Sequence, residues 1–254
     1  MGNTCCSRVP KQPPPIILRM PTFPKCHVCN SDIERWDDSR QLTFWGSEFC
    51  KIHLRDGTPW CSGCERFKTQ GQRGYVNLED GRKLCEDCES IAIFDPSKCN
   101  RLIEKMREFY EELNLQVDKD IPILLVDKHY MDKWQGKGCS WIDHIRSQKS
   151  LGGCKNLDAR VREGICEVMA YLWLGWFCDE RKNNLDSYTT EQATFTKDLK
   201  TFCVTKMSTR DDDIYGNGFR EAWGAVEKSN LHKTLQHIVQ HKTLPPQIHS
   251  NSTC

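Results

Sequence analysis

Hydrophobic positions recur at helical spacing through the second half of the chain and hardly recur before residue 95. After Asp95-Pro96, a good cap and first-turn pair, Leu102, Met106, Phe109 and Leu113 fall three or four residues apart and predict an amphipathic helix over about 96–114. Ile121–Val126 (IPILLV) reads as a short, fully buried strand, and residues 131–158 fit neither period. A second helix is expected from near Asp158, with Val161, Ile165, Val168 and Leu172 on one face and an unusual aromatic content at Trp173, Trp176 and Phe177. The polar stretch 179–189 reads as a loop. Three further helices are expected at about 190–206 (Phe195, Leu199 and Phe202 inward), 217–228 and 231–241. No repeat of the solenoid kind is apparent.

The first half has a different texture. Residues 1–24 are proline-rich and without period, which predicts a tail. Residues 25–90 carry seven cysteines in short-spaced pairs with little apolar content to build a core. Small modules of that composition are usually held together by metal. The chain as a whole has 38% hydrophobic and 28% charged residues and a net charge of +1, which leaves no electrostatic case for nucleic acid as a partner. The longest near-apolar stretch, Val168–Cys178, is too short to span a bilayer. No apolar segment of a secretory signal follows the start, so the expected compartment is the reducing cytoplasm, where sixteen cysteines are better explained by metal than by disulfides.

The pairs are Cys26-x2-Cys29, Cys50-x2-His53, Cys61-x2-Cys64 and Cys85-x2-Cys88, with twenty residues between Cys29 and Cys50 and twenty between Cys64 and Cys85. A two-residue gap lets a tight turn aim both side chains at one ion, and a second such turn closes a tetrahedral shell of sulfur and imidazole. The sequential assignment is Cys26, Cys29, Cys50 and His53 at one zinc, and Cys61, Cys64, Cys85 and Cys88 at another. Exchange of partners between turns stays open on spacing alone. Thioredoxin-like redox pairs are the competing reading, but four pairs in one short module exceed that need. Two filled shells leave no open position, so both zincs are expected to be structural. The arrangement resembles a LIM domain, with two departures. The central order is Cys-then-His, and seven residues separate His53 from Cys61 where a LIM domain normally has two.

Seven blocks, DGTPWCSGCER (56–66), YVNLEDGRKLCEDC (75–88), FYEELNLQV (109–117), IPILLV (121–126), REGICEVMAYLWL (162–174), YGNGFREA (215–222) and LHKTLQHI (231–238), together resemble the plant DA-one-related family of organ-growth regulators. The resemblance implies a LIM-type module followed by a zinc peptidase domain that uses His-Glu-x-x-His. Two histidines at i and i+4 share one helix face, and the glutamate activates the metal-bound water. That motif is absent, and its place falls on Ile142, Asp143, His144, Ile145 and Arg146. Isoleucine has no donor atom, and arginine puts a fixed positive charge where a ligand belongs. Glu163 matches the family's third ligand, although a first-turn carboxylate favoured by the helix dipole explains it equally. The chain is also expected to be shortened between Val126 and Gly138, and the family's ubiquitin-interacting motifs and first LIM domain have no counterpart in these residues.

Gly2 stands where N-myristoylation occurs, although Cys6 replaces the preferred serine or threonine; Cys5 and Cys6 are placed for S-acylation. Two acyl chains would attach the protein peripherally to the plasma membrane; an ordinary unstructured start is the alternative. The expected class is α+β: a LIM-like double zinc-knuckle module (25–94), then a mostly helical, degenerate zincin-like domain (95–245), between tails at 1–24 and 246–254. The expected function is a non-catalytic, zinc-binding interaction factor, a pseudo-peptidase whose partners are proteins, among them family members or ubiquitin-pathway components. The alternative is a zinc metallopeptidase acting on such proteins through an unconventional site that recruits His144 with Glu163 or Asp143.

Overall fold

The computed structural model describes residues 23–33, 40–115, 129, 157–182 and 184–246. The proline-rich start with Gly2, Cys5 and Cys6, the stretch 121–126, positions 142–146 and residues 247–254 lie outside the described residues. The chain divides into two compact units, Met1–Thr58 and Pro59–Cys254. The division therefore falls between the two cysteine clusters, where the sequence places both in one module ending at 94.

The first unit is built on backbone hydrogen bonds and a very small core. Cys26 N–H donates to Ser31 O and Asn30 N–H to Cys26 O, both at 2.8 Å, which closes the knuckle and puts Asn30 in the left-handed region at φ 59°. Strand β1 (Arg40–Leu42) pairs antiparallel with β2 (Glu48–Cys50), Leu42 opposite Glu48. The turn between them closes through Thr43 and Ser47, with Gly46 at φ 73°. Beyond β2 the chain enters a short 3-10 turn, Lys51–Leu54. Among the described residues, the buried apolar side chains other than cysteine are Val28, Ile33 and Phe49.

The second unit opens with the same construction, displaced by 35 residues from Cys26 to Cys61. Cys61 N–H donates to Arg66 O, Glu65 N–H to Cys61 O, Ser62 N–H to Lys83 O and Lys68 N–H to Pro59 O, each the counterpart of a bond in the first unit. Glu65 repeats the left-handed residue at φ 60°, and Gly81 repeats Gly46 at φ 83°. Strands β3 (Val76–Asn77) and β4 (Lys83–Leu84) repeat the hairpin. The copies differ where the last ligand sits: in place of the 3-10 turn stands helix α1 (Glu86–Ile91). This local duplication is hidden from a search for repeats because the residues between the ligands differ. The equal spacing of all four ligand pairs is its signal.

Among the described residues, five longer helices follow in the second unit: α2 (Pro96–Glu112), α3 (Ala159–Phe177), α4 (Thr190–Thr209), α5 (Gly218–Ser229) and α6 (Leu231–His241). Each start follows local chemistry. Asp95 Oδ1 accepts from Ser97 N–H at 2.9 Å, Asp158 Oδ1 from Arg160 N–H at 2.9 Å, and Thr189 and Gln192 form a reciprocal capping box. Between α4 and α5 a π-turn, Asp213–Asn217, is capped by Asp212, whose carboxylate accepts from Tyr215 N–H at 2.7 Å. Helix α3 is the centre: it packs on α2, α4, α5 and the π-turn. Its Ile165, Val168 and Met169 bury against Phe109, Phe219, Ala222 and Ile238. The aromatic end of α3 closes on α2, with the rings of Trp173 and Trp176 5.6 and 5.8 Å from Phe109. Glu112 Oε2 accepts there from Trp176 Nε1 at 2.9 Å, and Lys182 Nζ donates to the same carboxylate at 2.6 Å.

Helices α3 and α5 cross backbone to backbone. A Cβ on Gly164 would lie 2.3 Å from Gly218 O, and one on Gly218 would lie 2.7 Å from Arg160 O. Gly164→Ala is therefore expected to force the helices apart and cost about 2–3 kcal/mol. Gly175→Ala, where a Cβ meets nothing within 4 Å, is expected to gain about 0.5–1 kcal/mol through helix propensity. Urea unfolding of the two variants, with opposite signs expected, checks this reading of the crossing.

Candidate metal centres

Eight side chains singled out by spacing come together as two groups in chain order, Cys26, Cys29, Cys50 and His53, and Cys61, Cys64, Cys85 and Cys88, with the donor atoms of each group within 4.8 Å of one another. In the first group the knuckle supplies Cys26 and Cys29, the last residue of β2 supplies Cys50, and the 3-10 turn supplies His53. Two side chains aim the ring: His53 Nδ1 lies 2.8 Å from Asp56 Oδ2 and 2.9 Å from Thr58 Oγ1, which occupies Nδ1 and gives the role of donor to an ion to the buried Nε2. Asp56 is fixed in turn by the Thr58 hydroxyl and amide, at 2.6 and 2.8 Å, and these bonds together with His53 hold its carboxyl below the usual range. A carboxylate behind a ligating imidazole sets its tautomer and orientation.

In the second group all four cysteines are buried. Helix α1 starts at Cys85, so Cys88 lies in its first turn and both sulfurs face the knuckle. Gly63 leaves the room this needs: a Cβ there would lie 2.8 Å from Cys88 Sγ. Cys64 Sγ and Cys85 Sγ are 3.7 Å apart. That is far too long for a disulfide, and it matches the edge of about 3.8 Å that a tetrahedron of zinc–sulfur bonds of ~2.3 Å would have. The amide of the third ligand donates to the sulfur of the first in both groups, Cys50 N–H to Cys26 Sγ at 3.4 Å and Cys85 N–H to Cys61 Sγ at 3.3 Å. Donor type, separation and amide support all fit a tetrahedral, thiophilic ion.

Spacing picked out the two four-donor groups but missed what orients them. Asp56 and Thr58 hold His53, and Arg66 donates to Cys64 Sγ and Cys85 Sγ at 3.2 and 3.4 Å. The proximity of Arg66 to Cys64 in sequence was the available signal, and only the fold turns its guanidinium back onto two sulfurs. Glu163 is the fifth residue of α3, past the first turn in which the sequence reading puts it, and its carboxylate is taken by Arg162 Nε at 2.9 Å. Among the described residues it joins neither metal-competent group, and no third group is present. His144 lies outside the described residues. One turn on from Glu163, burial raises the carboxyl of Glu167, with nearby Glu163 and Asp212 adding to the rise and Arg210 opposing it.

The folded chain therefore combines a duplicated Cys/His metal-binding motif of LIM-like type with a helical domain centred on α3. Residues 144–241 match the family model described as DA1-like, Protein DA1. Protein DA1-related 1 of Arabidopsis thaliana is 28% identical over 307 residues, covering 87% of this chain and 55% of the relative. LIM domain-containing protein HDR3 of Oryza sativa subsp. japonica is 26% identical over 304 residues, covering 85% and 60%. Protein DA1-related 3 of Arabidopsis thaliana is 36% identical over 133 residues, 51% of this chain and 29% of that protein. The chain is thus similar to DA1-family proteins over most of its length. It spans about half the length of the curated relatives it matches. The 307-residue alignment is longer than the chain itself, so these relatives carry intervening residues that have no counterpart here. No solved structure matches.

Two outcomes are expected. Asp56→Ala should keep both ions at saturating metal but weaken the first site by about 10–100-fold in a chelator titration, the usual consequence of losing the partner of a ligating histidine. Glu167→Gln should raise the melting temperature at neutral pH. A carboxyl with a raised folded pKa favours the fold only as pH falls and it takes up a proton, so the gain should shrink toward acid pH in a series of thermal melts.

Proposed function

We propose that this chain is a zinc-binding interaction protein of the DA1 family that lacks peptidase catalysis, with two structural zincs and a degenerate zincin-like helical domain. The carrying observation is the two four-donor groups, each of which fills a tetrahedral shell with protein side chains. Filled shells hold no water, and catalytic zinc needs about three protein ligands and one open position. At the place of the family's catalytic motif the sequence reads Ile142-Asp143-His144-Ile145-Arg146, and Glu163 is engaged by Arg162.

On this reading Cys26, Cys29, Cys50, His53, Cys61, Cys64, Cys85 and Cys88 hold the ions, and the bound zinc contributes folding energy and charge neutralisation of the thiolates. The chain acts by presenting surfaces to protein partners, with family members and ubiquitin-pathway proteins the candidates that the resemblance suggests. Acylation at Gly2, Cys5 and Cys6 would bring those surfaces to the plasma membrane from the cytoplasm.

Native mass spectrometry of the purified protein, without added metal, tests the proposal. Two zincs per chain are expected, one after Cys85→Ser, and two with unchanged stability after His144→Ala. A third zinc that is lost on His144→Ala would overturn the reading and establish a peptidase-type site.

A further inference from the structure

We infer that Arg66 couples the second metal centre to the helical domain, so that zinc at Cys61, Cys64, Cys85 and Cys88 is a structural cofactor of the helices. The inference rests on the zinc reading above and goes beyond it.

Arg66 reaches three kinds of partner at once. Its Nε and Nη2 donate to Cys64 Sγ and Cys85 Sγ, and Nη2 also donates to Asp87 Oδ2 at 2.5 Å. Its guanidinium then lies over the ring of Phe195 on α4, 5.2 Å from the centroid. A planar cation with a fixed fork of donors can satisfy sulfurs on one edge and an aromatic face at the same time, which a lysine cannot.

The duplicated architecture shows why this position carries a charge. Thirty-five residues earlier the equivalent residue is Ser31, which hydrogen-bonds to the Cys29 sulfur. Three thiolates and one imidazole around a divalent ion leave one net negative charge, and four thiolates leave two. The neutral hydroxyl serves the first shell and the guanidinium the second, so the donor in this slot follows the charge of the shell. Hydrogen bonds from a cation to metal-bound sulfur are of the strong, charge-assisted kind.

The contact with α4 is broader than one ring. Helix α1, which carries Cys88, packs along α4. Gln192 Nε2 donates to Ser90 O at 2.7 Å, and Lys206 near the end of α4 pairs with Glu65 of the knuckle. Lys206 and Gln192 lie at opposite ends of the helix, so the knuckle and α1 hold α4 along its length. An ion that fixes Cys64, Cys85 and Cys88 thereby fixes the platform on which α4 rests.

The test uses the full chain and two readouts, zinc per chain by native mass spectrometry during a chelator titration, and the thermal melt of the helices by circular dichroism. Cys64→Ser should lose one zinc and lower the helical melt by several degrees. Cys29→Ser should also lose one zinc but leave that melt in place. Arg66→Met should bind two zincs at saturation, lose the second about 10–100-fold more readily than wild type and melt lower. Arg66→Lys should recover part of the affinity, which a purely steric role would not predict. Equal helical melts in Cys64→Ser and Cys29→Ser, with wild-type zinc affinity in Arg66→Met, would overturn the coupling. A wild-type chain that holds no zinc at the second group would overturn the zinc reading itself, and the count separates the two failures. If Cys64→Ser does not fold, the chelator titration of wild type decides instead: helical melting must fall in step with loss of the more tightly shielded ion.

Discussion

Sulfur atoms crowded to van der Waals distance in a buried setting set the terms for everything before residue 95. Without an ion, the four sulfurs of Cys61, Cys64, Cys85 and Cys88 would be poorly solvated thiols with little else to hold them. Among its described residues the first unit buries Val28, Ile33 and Phe49 besides the four donors. At roughly 1.5–3 kcal/mol each, three such side chains do not offset about 1–2 kcal/mol of backbone entropy for each residue ordered. Structural zinc, worth about 10–16 kcal/mol in small fingers, would add a term larger than those three side chains together. The hairpins, the left-handed residues Asn30 and Glu65 and the amide–sulfur bonds follow as the local geometry that brings four donors to one point.

The helical part rests on a different constraint, the close approach of α3 and α5 at Gly164 and Gly218. Because the backbones touch, Ile165 and Val168 reach Phe219 and Ala222 across a thin interface. Arg160 fastens the same crossing from the side by pairing with Asp213 of the π-turn and Glu221 of α5. The stretch that matches the DA1-like model, 144–241, contains all of these elements.

How far the fold was legible varies with how local its causes are. The start of α2 at Pro96 and the whole of α6, Leu231–His241, follow from caps and periodicity that lie within a few residues. Helix α4 runs to Thr209, beyond the expected 206, because Met207 packs against the core and Ser208 and Thr209 turn their hydroxyls back to carbonyls one turn earlier. The expected strand at 121–126 lies outside the described residues. The two donor groups were legible because a two-residue gap, the spacing that metal coordination asks for, is written in the chain itself. Arg66, Asp56 and Thr58 were not: Arg66 stands two residues from Cys64, but only the fold turns its side chain back onto two sulfurs, and only the fold brings Asp56 and Thr58 to the ring of His53.

What the sequence determined by itself is chemistry of short range: two sets of four donors, and the caps and faces of the helices. The tertiary structure alone decided which larger body each donor set belongs to. It placed the second set with the helices, through Arg66, Phe195, Gln192 and Lys206, and divided the chain at Thr58. The physical reason is separation along the chain. Contacts between residues more than a hundred positions apart, such as Gln192 with Ser90, leave no periodicity or spacing to read. They exist only once α3 has gathered the helices and α4 offers its face to the knuckle.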